Sequence, residues 1–296
     1  MSTSPKIVLV TGCSSGEDAH SNALTPPPSL MIRWTRSNLG RCEEYAARGC
    51  KVYATARKVE AMESFKHPVE RLKLDVTSDE NVQEVVKTII EKEGRIDILV
   101  NNAGVLSSGP IIDLSMEEIK HAYDANVYSV IRMCKAVIPH MAARKSGTIV
   151  NISSLQAHIP TPWAGIYAST KAAMQSLTET LYMECIPLDI SVVLVVTGAV
   201  RSNLSNNRLQ TFAGLPENSL YKQFLPNIME RISVSQGADS MPTAEYAQRV
   251  VGASLQAKPP RSLMLGGKTL MYRVLLWLPR GLTLWLLWRR FSGSAR

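Results

Sequence analysis

Short apolar runs recur along the chain, separated by longer stretches in which apolar residues return every three or four positions. The runs fall at residues 6–10 (KIVLV), 51–55, 72–76 (LKLDV), 97–104 (DILVNNAG), 147–153 (GTIVNIS), 191–196 (SVVLVV) and 262–265. Most are rich in Val, Ile and Leu without polar alternation, which predicts parallel strands buried on both faces. The stretches between them predict helices over 42–50, 79–93, 116–144 and 243–256, with one more opening at Tyr167. Regular alternation of the two implies an α/β fold, a doubly wound, Rossmann-like parallel sheet with helices on both faces. Ligands gather at the carboxyl ends of strands in such sheets. Gly12, Arg57, Asp75, Asn102, Ser154 and Thr197 all stand at or just past such ends.

The first strand runs into Thr11-Gly12-Cys13-Ser14-Ser15-Gly16. Glycines between a strand and a helix let the backbone approach a pyrophosphate, so Gly12, Ser14 and Gly16 are candidate cofactor contacts. The expected helix does not follow at once. Residues 17–38 contain three consecutive prolines at 26–28 and no helical period, and helix-like sequence resumes only after Leu39-Gly40-Arg41. This insertion reads as foreign to the fold, as a retained intron would be, and it threatens the phosphate site rather than the chain path. After the second strand, VYATARK lacks the acidic residue that bonds a ribose 2′-hydroxyl and offers Arg57 and Lys58 instead. A guanidinium there suits a 2′-phosphate, which favours NADPH over NADH.

Tyr167 and Lys171 are four residues apart at the start of a predicted helix, so phenol and ammonium share a face. A nearby cation favours the phenolate and lowers the pKa, which makes the hydroxyl a competent proton donor or acceptor. Ser154, at the end of a buried strand, is placed to hydrogen-bond the oxygen that receives the proton.

Composition narrows the classes. The chain has 296 residues, 45% of them apolar, enough for one domain with appendages. Five cysteines, odd in number and without metal-ligand spacing, fit a reduced compartment and give no metal site. No amino-terminal apolar leader is evident. The net charge of +8 is dispersed except near the carboxyl terminus and accompanies no nucleic-acid motif, so a membrane surface ranks above nucleic acid as a partner. Residues 270–288 are apolar over nineteen positions but interrupted by Arg273 and by Pro279-Arg280-Gly281. Each half is about 13 Å long, too short for a hydrocarbon core of about 30 Å. The three tryptophans and flanking arginines fit an interfacial or re-entrant anchor. A helix that closes the substrate pocket, or a dimer contact, is the other reading. The organisation expected is a reductase domain over 1–268 and a membrane-associating tail over 269–296.

Taken together, TGCSSG, LDVT at 74–77, NNAG at 101–104, Asn126, Ser154 and Tyr167 with Lys171 resemble the short-chain dehydrogenase/reductase family over residues 5–205. The resemblance implies roles. Tyr167 would be the general acid/base, Lys171 would lower its pKa and bond the nicotinamide ribose, and Ser154 would polarise the substrate carbonyl. Asn126 would hold a water linking Lys171 to solvent, unless it is an ordinary polar residue within its helix. Asn102, Ala103 and Gly104 would support the central strand and the cofactor, and Val200 would border the nicotinamide in the segment after the sixth strand. Asp75 would meet the adenine, or else cap the helix beginning near Ser78. The third glycine of the family turn is displaced, with Asp18 at its usual position and Gly40 alone having the right neighbours.

The TGAVRSN segment at 197–203 is most similar to the fungal branch that contains 1-acyldihydroxyacetone-phosphate reductase. It implies NADPH-dependent reduction of a lipophilic ketone at the cytoplasmic face of the endoplasmic reticulum or a lipid droplet, by a protein that can form homo-oligomers. A steroid or retinoid substrate, or a silent membrane-associated protein whose cofactor turn the insertion has broken, are the alternatives. Arg201 and Asn203 either meet a substrate phosphate or face water. Residues 203–240 have little period and read as a mobile substrate cover or a surface insertion.

Overall fold

The computed structural model describes residues 4–13, 39–62, 65–201 and 203–293. The apolar runs become seven strands: β1 (Ile7–Val10), β2 (Lys51–Ala56), β3 (Val69–Lys73), β4 (Ile98–Asn101), β5 (Gly147–Ser154), β6 (Ile190–Thr197) and β7 (Ser262–Leu265). They form one parallel sheet in the order β3-β2-β1-β4-β5-β6-β7. The order reverses between β1 and β4, which opens a crevice at their carboxyl ends. The segments between strands form α1 (Leu39–Ala47), α2 (Asp79–Glu93), α3 (Met116–Tyr123), α4 (Ser129–Ala143), α5 (Gly165–Cys185), α6 (Asn203–Thr211), α7 (Leu225–Ser233) and α8 (Thr243–Ser254), followed by α9 (Thr269–Trp277) and α10 (Arg280–Ser292).

Side chains alternate across a strand, so both faces of β1 find a core. Ile7 and Leu9 pack with residues of α2, α4 and α5, such as Val86, Val137 and Met174. Val8 and Val10 pack on the other face with Cys42 and Tyr45 of α1 and Tyr246 and Val250 of α8. A third apolar cluster lies beyond the carboxyl ends of β5 and β6, where Leu155, Ile159 and Trp163 meet Phe224 and Ile228.

Three expectations shift. The third strand is Val69–Lys73 rather than 72–76, because its register on β2 ends with Ala56 opposite Lys73 and leaves Asp75 in the turn that follows. Residues 116–144 do not form one regular helix. A π-helical segment, Asp124–Tyr128, joins α3 to α4 and contains Asn126. Residues 203–240 contain two helices, α6 and α7, the second burying Ile228, Arg231 and Ile232 against the third cluster. That helix has only nine residues, so its apolar stripe is too brief to stand out from the polar residues around it.

The tail breaks where Pro279 cannot continue a helix, with Leu278 extended before it. Its apolar residues divide between two faces. Tyr272, Leu275, Leu287 and Phe291 are buried in the third cluster, whereas Leu270, Val274, Trp277 and Trp285 are exposed, Trp277 at 89%. Among the described residues no helix is long and apolar enough to cross a membrane.

Candidate active site

Ser154 ends β5, and α5 opens at Gly165, which sets Tyr167 and Lys171 one turn apart on the same face. All three are buried. The Ser154 hydroxyl stands beside the Tyr167 phenol and pulls its pKa down. Lys171 Nζ donates to the Ile152 carbonyl over 3.0 Å and lies 5.8 Å from the Tyr167 ring centre.

Desolvation brings the Lys171 ammonium down to about 8. The expectation that Lys171 draws the phenol towards neutrality is not met. Burial pushes the Tyr167 pKa up, outweighing the Ser154 hydroxyl and the nearby Arg231 charge that pull it down. Tyr167 is therefore a neutral phenol at pH 7, the form that gives a proton rather than takes one.

Asn126 lies on the wall behind this group. Its Oδ1 accepts from the Val105 N–H at 2.7 Å, and its Nδ2 donates to the Val105 carbonyl and to Thr170 Oγ1, both at 3.0 Å. Through the two bonds to Val105 the amide fixes the backbone after β4. A Cβ on Gly104 would lie 2.9 Å from Asn126 Oδ1 and 3.8 Å from Lys171 Nζ, so glycine is what allows the two segments to close together.

The turn after β1 is built equally tightly. Gly12 has φ +69°, and a Cβ there would stand 2.6 Å from Ala103 Cα. Thr11 Oγ1 accepts from the N–H groups of Asn102 and Ala103 at 3.1 Å each. Asn102 Nδ2 returns bonds to the carbonyls of Thr11 and Gly12 at 2.9 and 3.2 Å, and Arg41 donates to Asn102 Oδ1. Gly40 packs its bare backbone against α8, with a built Cβ 3.2 Å from Thr243, in keeping with the displaced third glycine. Ser14, Gly16 and the insertion over 17–38 lie outside the described residues.

Asp75 accepts from the backbone and the hydroxyl of Thr77 at 2.9 and 2.7 Å. Ser78, not Asp75, caps α2 by accepting from the Asn81 N–H at 3.1 Å. Burial pushes the Asp75 carboxyl up, but the Thr77 hydrogen bonds and the charges of Arg57 and His121 hold it below its ordinary value.

One continuous cavity of about 1500 Å³ connects these parts. Gly12, Arg57, Lys58, Asp75, Asn102, Ala103 and Gly104 line one end, Ser154, Tyr167, Lys171 and Val200 line the middle, and Met271, Tyr272, Leu275, Leu286, Leu287 and Phe291 of the tail supply an apolar wall. Arg201 is exposed and does not line it. The Asn203 side chain is outside what is described.

Sequence reasoning missed Arg41, Arg231 and Trp163. Arg41 had a local signal, since it follows Gly40 in the first turn of α1. Trp163 adopts φ +65°, sparsely populated for a bulky residue, and is held there by surrounding contacts. Its indole N–H donates to the Phe291 carbonyl over 2.9 Å, and its ring packs against Tyr221, Phe224 and Trp288. The tail is thereby fastened to the loop that leads into Tyr167.

The family model for short chain dehydrogenase matches residues 39–212, more than half of the chain. The NADPH-dependent 1-acyldihydroxyacetone phosphate reductase of Schizosaccharomyces pombe is 36% identical over 229 residues, covering 76% of this chain and 71% of that protein. The 3-ketodihydrosphingosine reductase of Bacteroides thetaiotaomicron is 33% identical over 204 residues, covering 69% and 67%. The crystal structure of a short-chain dehydrogenase from Streptomyces avermitilis superposes with a TM-score of 0.75 at 28% identity, and each chain is covered in full. With its parallel sheet, its Ser154, Tyr167 and Lys171 group and these matches, the chain belongs to the short-chain dehydrogenase family.

Proposed function

We propose that the protein is an NADPH-dependent reductase of a ketone on a lipophilic substrate, with 1-acyldihydroxyacetone phosphate as the leading candidate. The observation that carries this reading is a cavity with the Tyr167 proton donor at its centre and an apolar wall from the tail beside it. The likeness to the Schizosaccharomyces pombe reductase supports the finer substrate.

The described residues fit the cofactor. Gly12 and Ala103 approach so closely that no side chain fills the space at the first turn. Arg57 and Lys58 line the cavity after β2, where a 2′-phosphate would lie. When bound, NADPH supplies the hydride for the carbonyl carbon. Tyr167 gives its proton to the carbonyl oxygen, and Ser154, beside the phenol, holds that oxygen in line. Lys171 stays cationic below its pKa of about 8 and offsets the negative charge left on the phenol. Asn126 acts as a positioning residue, fixing the backbone at Val105.

The test is turnover of 1-acyldihydroxyacetone phosphate with NADPH and with NADH across pH. Reduction at least tenfold faster with NADPH is expected. The rate should be level below about pH 8 and fall above it, because the Lys171 ammonium is lost as pH rises through that value. Reduction of a phosphate-free lipid ketone alone would move the substrate to the steroid or retinoid class. No turnover until residues 17–38 are deleted would identify the full chain as the silent form.

The tail also serves, in this reading, as the contact with a lipid surface, on the cytoplasmic face of the endoplasmic reticulum or a lipid droplet. The exposed Leu270, Val274, Trp277 and Trp285 stand among Arg273, Arg280, Arg289 and Arg290, and residues 269–296 contain no acidic side chain. Tryptophans with arginines suit the boundary of an anionic bilayer. The full chain should float with vesicles containing phosphatidylserine, and Trp277→Ser with Trp285→Ser should remove most of that binding. A dimer dispersed by the same pair, with no vesicle binding, would assign the face to a homo-oligomer instead.

A further inference from the structure

The substrate end of the cavity contains a buried cation, Arg231, that no carboxylate among the described residues balances. Arg231, on α7, is 4% exposed and lines the cavity that holds Tyr167. Its Nε donates to Thr161 Oγ1 over 2.7 Å, and its guanidinium lies over the Phe291 ring, 5.5 Å from the centre. Among the described residues no carboxylate pairs with it. Three arginine or lysine side chains that line the same cavity do have a carboxylate: Arg208 faces Glu118 at 3.6 Å, Lys268 faces Asp239 at 3.6 Å and Arg290 pairs with Glu230 at 2.8 Å. Glu230 precedes Arg231 in sequence, yet it pairs with Arg290.

A buried guanidinium without a counter-anion is costly, and a protein keeps one where a ligand completes it. The bond to Thr161 uses Nε only. The two terminal nitrogens make no hydrogen bond to any described residue, and paired N–H groups of this kind match two oxygens of a phosphate or carboxylate. The positive charge is felt at Tyr167, where it opposes the effect of burial on the phenol, and burial in turn holds the Arg231 pKa below its ordinary value. The neighbouring Tyr272, Leu275 and Leu287 are apolar enough for an acyl chain and provide no competing anion.

We infer that Arg231 is the anion-binding residue of the substrate site, selecting a lipid ketone whose headgroup is a phosphate monoester over the phosphate-free ketone of the same chain length. This rests on the reductase reading and narrows it. The phosphate would sit on Arg231, with the carbonyl near Tyr167 and the acyl chain along the tail. It also reassigns the role the sequence offered to Arg201, which faces outward.

The test uses binding, so that it does not depend on turnover. The full-length protein is titrated by calorimetry with 1-oleoylglycerol 3-phosphate and with 1-oleoylglycerol, each below its aggregation threshold. The phosphate ligand should bind at least 30-fold tighter. Arg231→Gln should reduce that preference to less than threefold while leaving the affinity for 1-oleoylglycerol unchanged. Arg231→Lys, which keeps the charge and loses the fork, should keep a preference within tenfold of the parent and serves if the Gln variant does not fold. Equal affinity of the parent for both ligands, a preference that survives Arg231→Gln, or equal loss of both ligands in that variant would each overturn the assignment, the last by making Arg231 a packing residue. Ketone turnover is scored separately. A protein that prefers the phosphate ligand but reduces no ketone would sink the reductase reading and leave the anion site standing.

Discussion

Tyr167→Phe should bind NADPH as the parent does and reduce ketone about 10²–10⁴-fold more slowly, the range that a positioned general acid supplies. The substitution removes one oxygen and leaves a ring of the same shape in a site that is only 7% exposed. Ser154, beside the phenol, still accepts from the Gln156 N–H at 3.3 Å, so the local backbone keeps a partner. The melting temperature should therefore change little, and the whole effect should appear in kcat. Because burial keeps the phenol protonated at neutral pH, the parent has its proton in place before the carbonyl arrives. A Phe variant with more than a tenth of parental turnover would remove Tyr167 from the chemistry and leave Ser154 as the candidate donor.

Gly12→Val is expected to lower NADPH affinity by at least about 100-fold, for two independent reasons. The residue has φ +69°, where a β-branched side chain is strained by roughly 1–2 kcal/mol. A Cβ would also meet Ala103 Cα at 2.6 Å, a backbone contact that no rotamer relieves. The only escape is to move the first turn away from β4, which loosens the bonds from Asn102 to Thr11 and Gly12. Losing two charge-assisted contacts to a pyrophosphate, each worth about 1.5–3 kcal/mol, gives that factor or more. Fluorescence titration with NADPH measures it. Parental affinity in the Val variant would mean that the cofactor does not use this turn, and the residues after β2 would then have to carry its binding alone.

The two substitutions probe different levels of legibility. Tyr167 and Lys171 are separated by one helical turn, so their common face follows from spacing alone, and α5 places them so. The seven strands were equally readable, because a sheet covered on both faces demands apolar residues at consecutive positions and leaves a dense local signal. Gly12 was readable as a glycine between strand and helix. The physical demand on it, the approach of Ala103, joins segments about ninety positions apart, as the Asn102 bonds across |i−j| of 90 and 91 indicate.

The tyrosine pKa marks the boundary between the two kinds of knowledge. Spacing provides the neighbouring ammonium but says nothing about how much water the phenol loses. Burial proved the larger effect and reversed the expected direction. The π segment at Asn126 is similar, since one wide turn leaves no change in the 3.6-residue apolar period large enough to notice, yet it sets which backbone the amide clasps.

Hydrophobic pattern and short-range spacing thus carried the parallel sheet, the strand-end location of the site, the tyrosine and lysine pair and the cationic residues after β2, because each is encoded within a turn or a strand. The substrate half depended on folding. Arg231 lies 64 positions from Tyr167, Phe291 bonds Trp163 across 128, and the tail helices gain meaning only when Tyr272, Leu275 and Leu287 close over the carboxyl end of β5 and β6. No local pattern distinguishes a buried arginine that waits for an anion from one that faces water. That difference is made by which carboxylates the fold brings near and which it keeps away, a sum over distant contacts that exists only once the chain has packed.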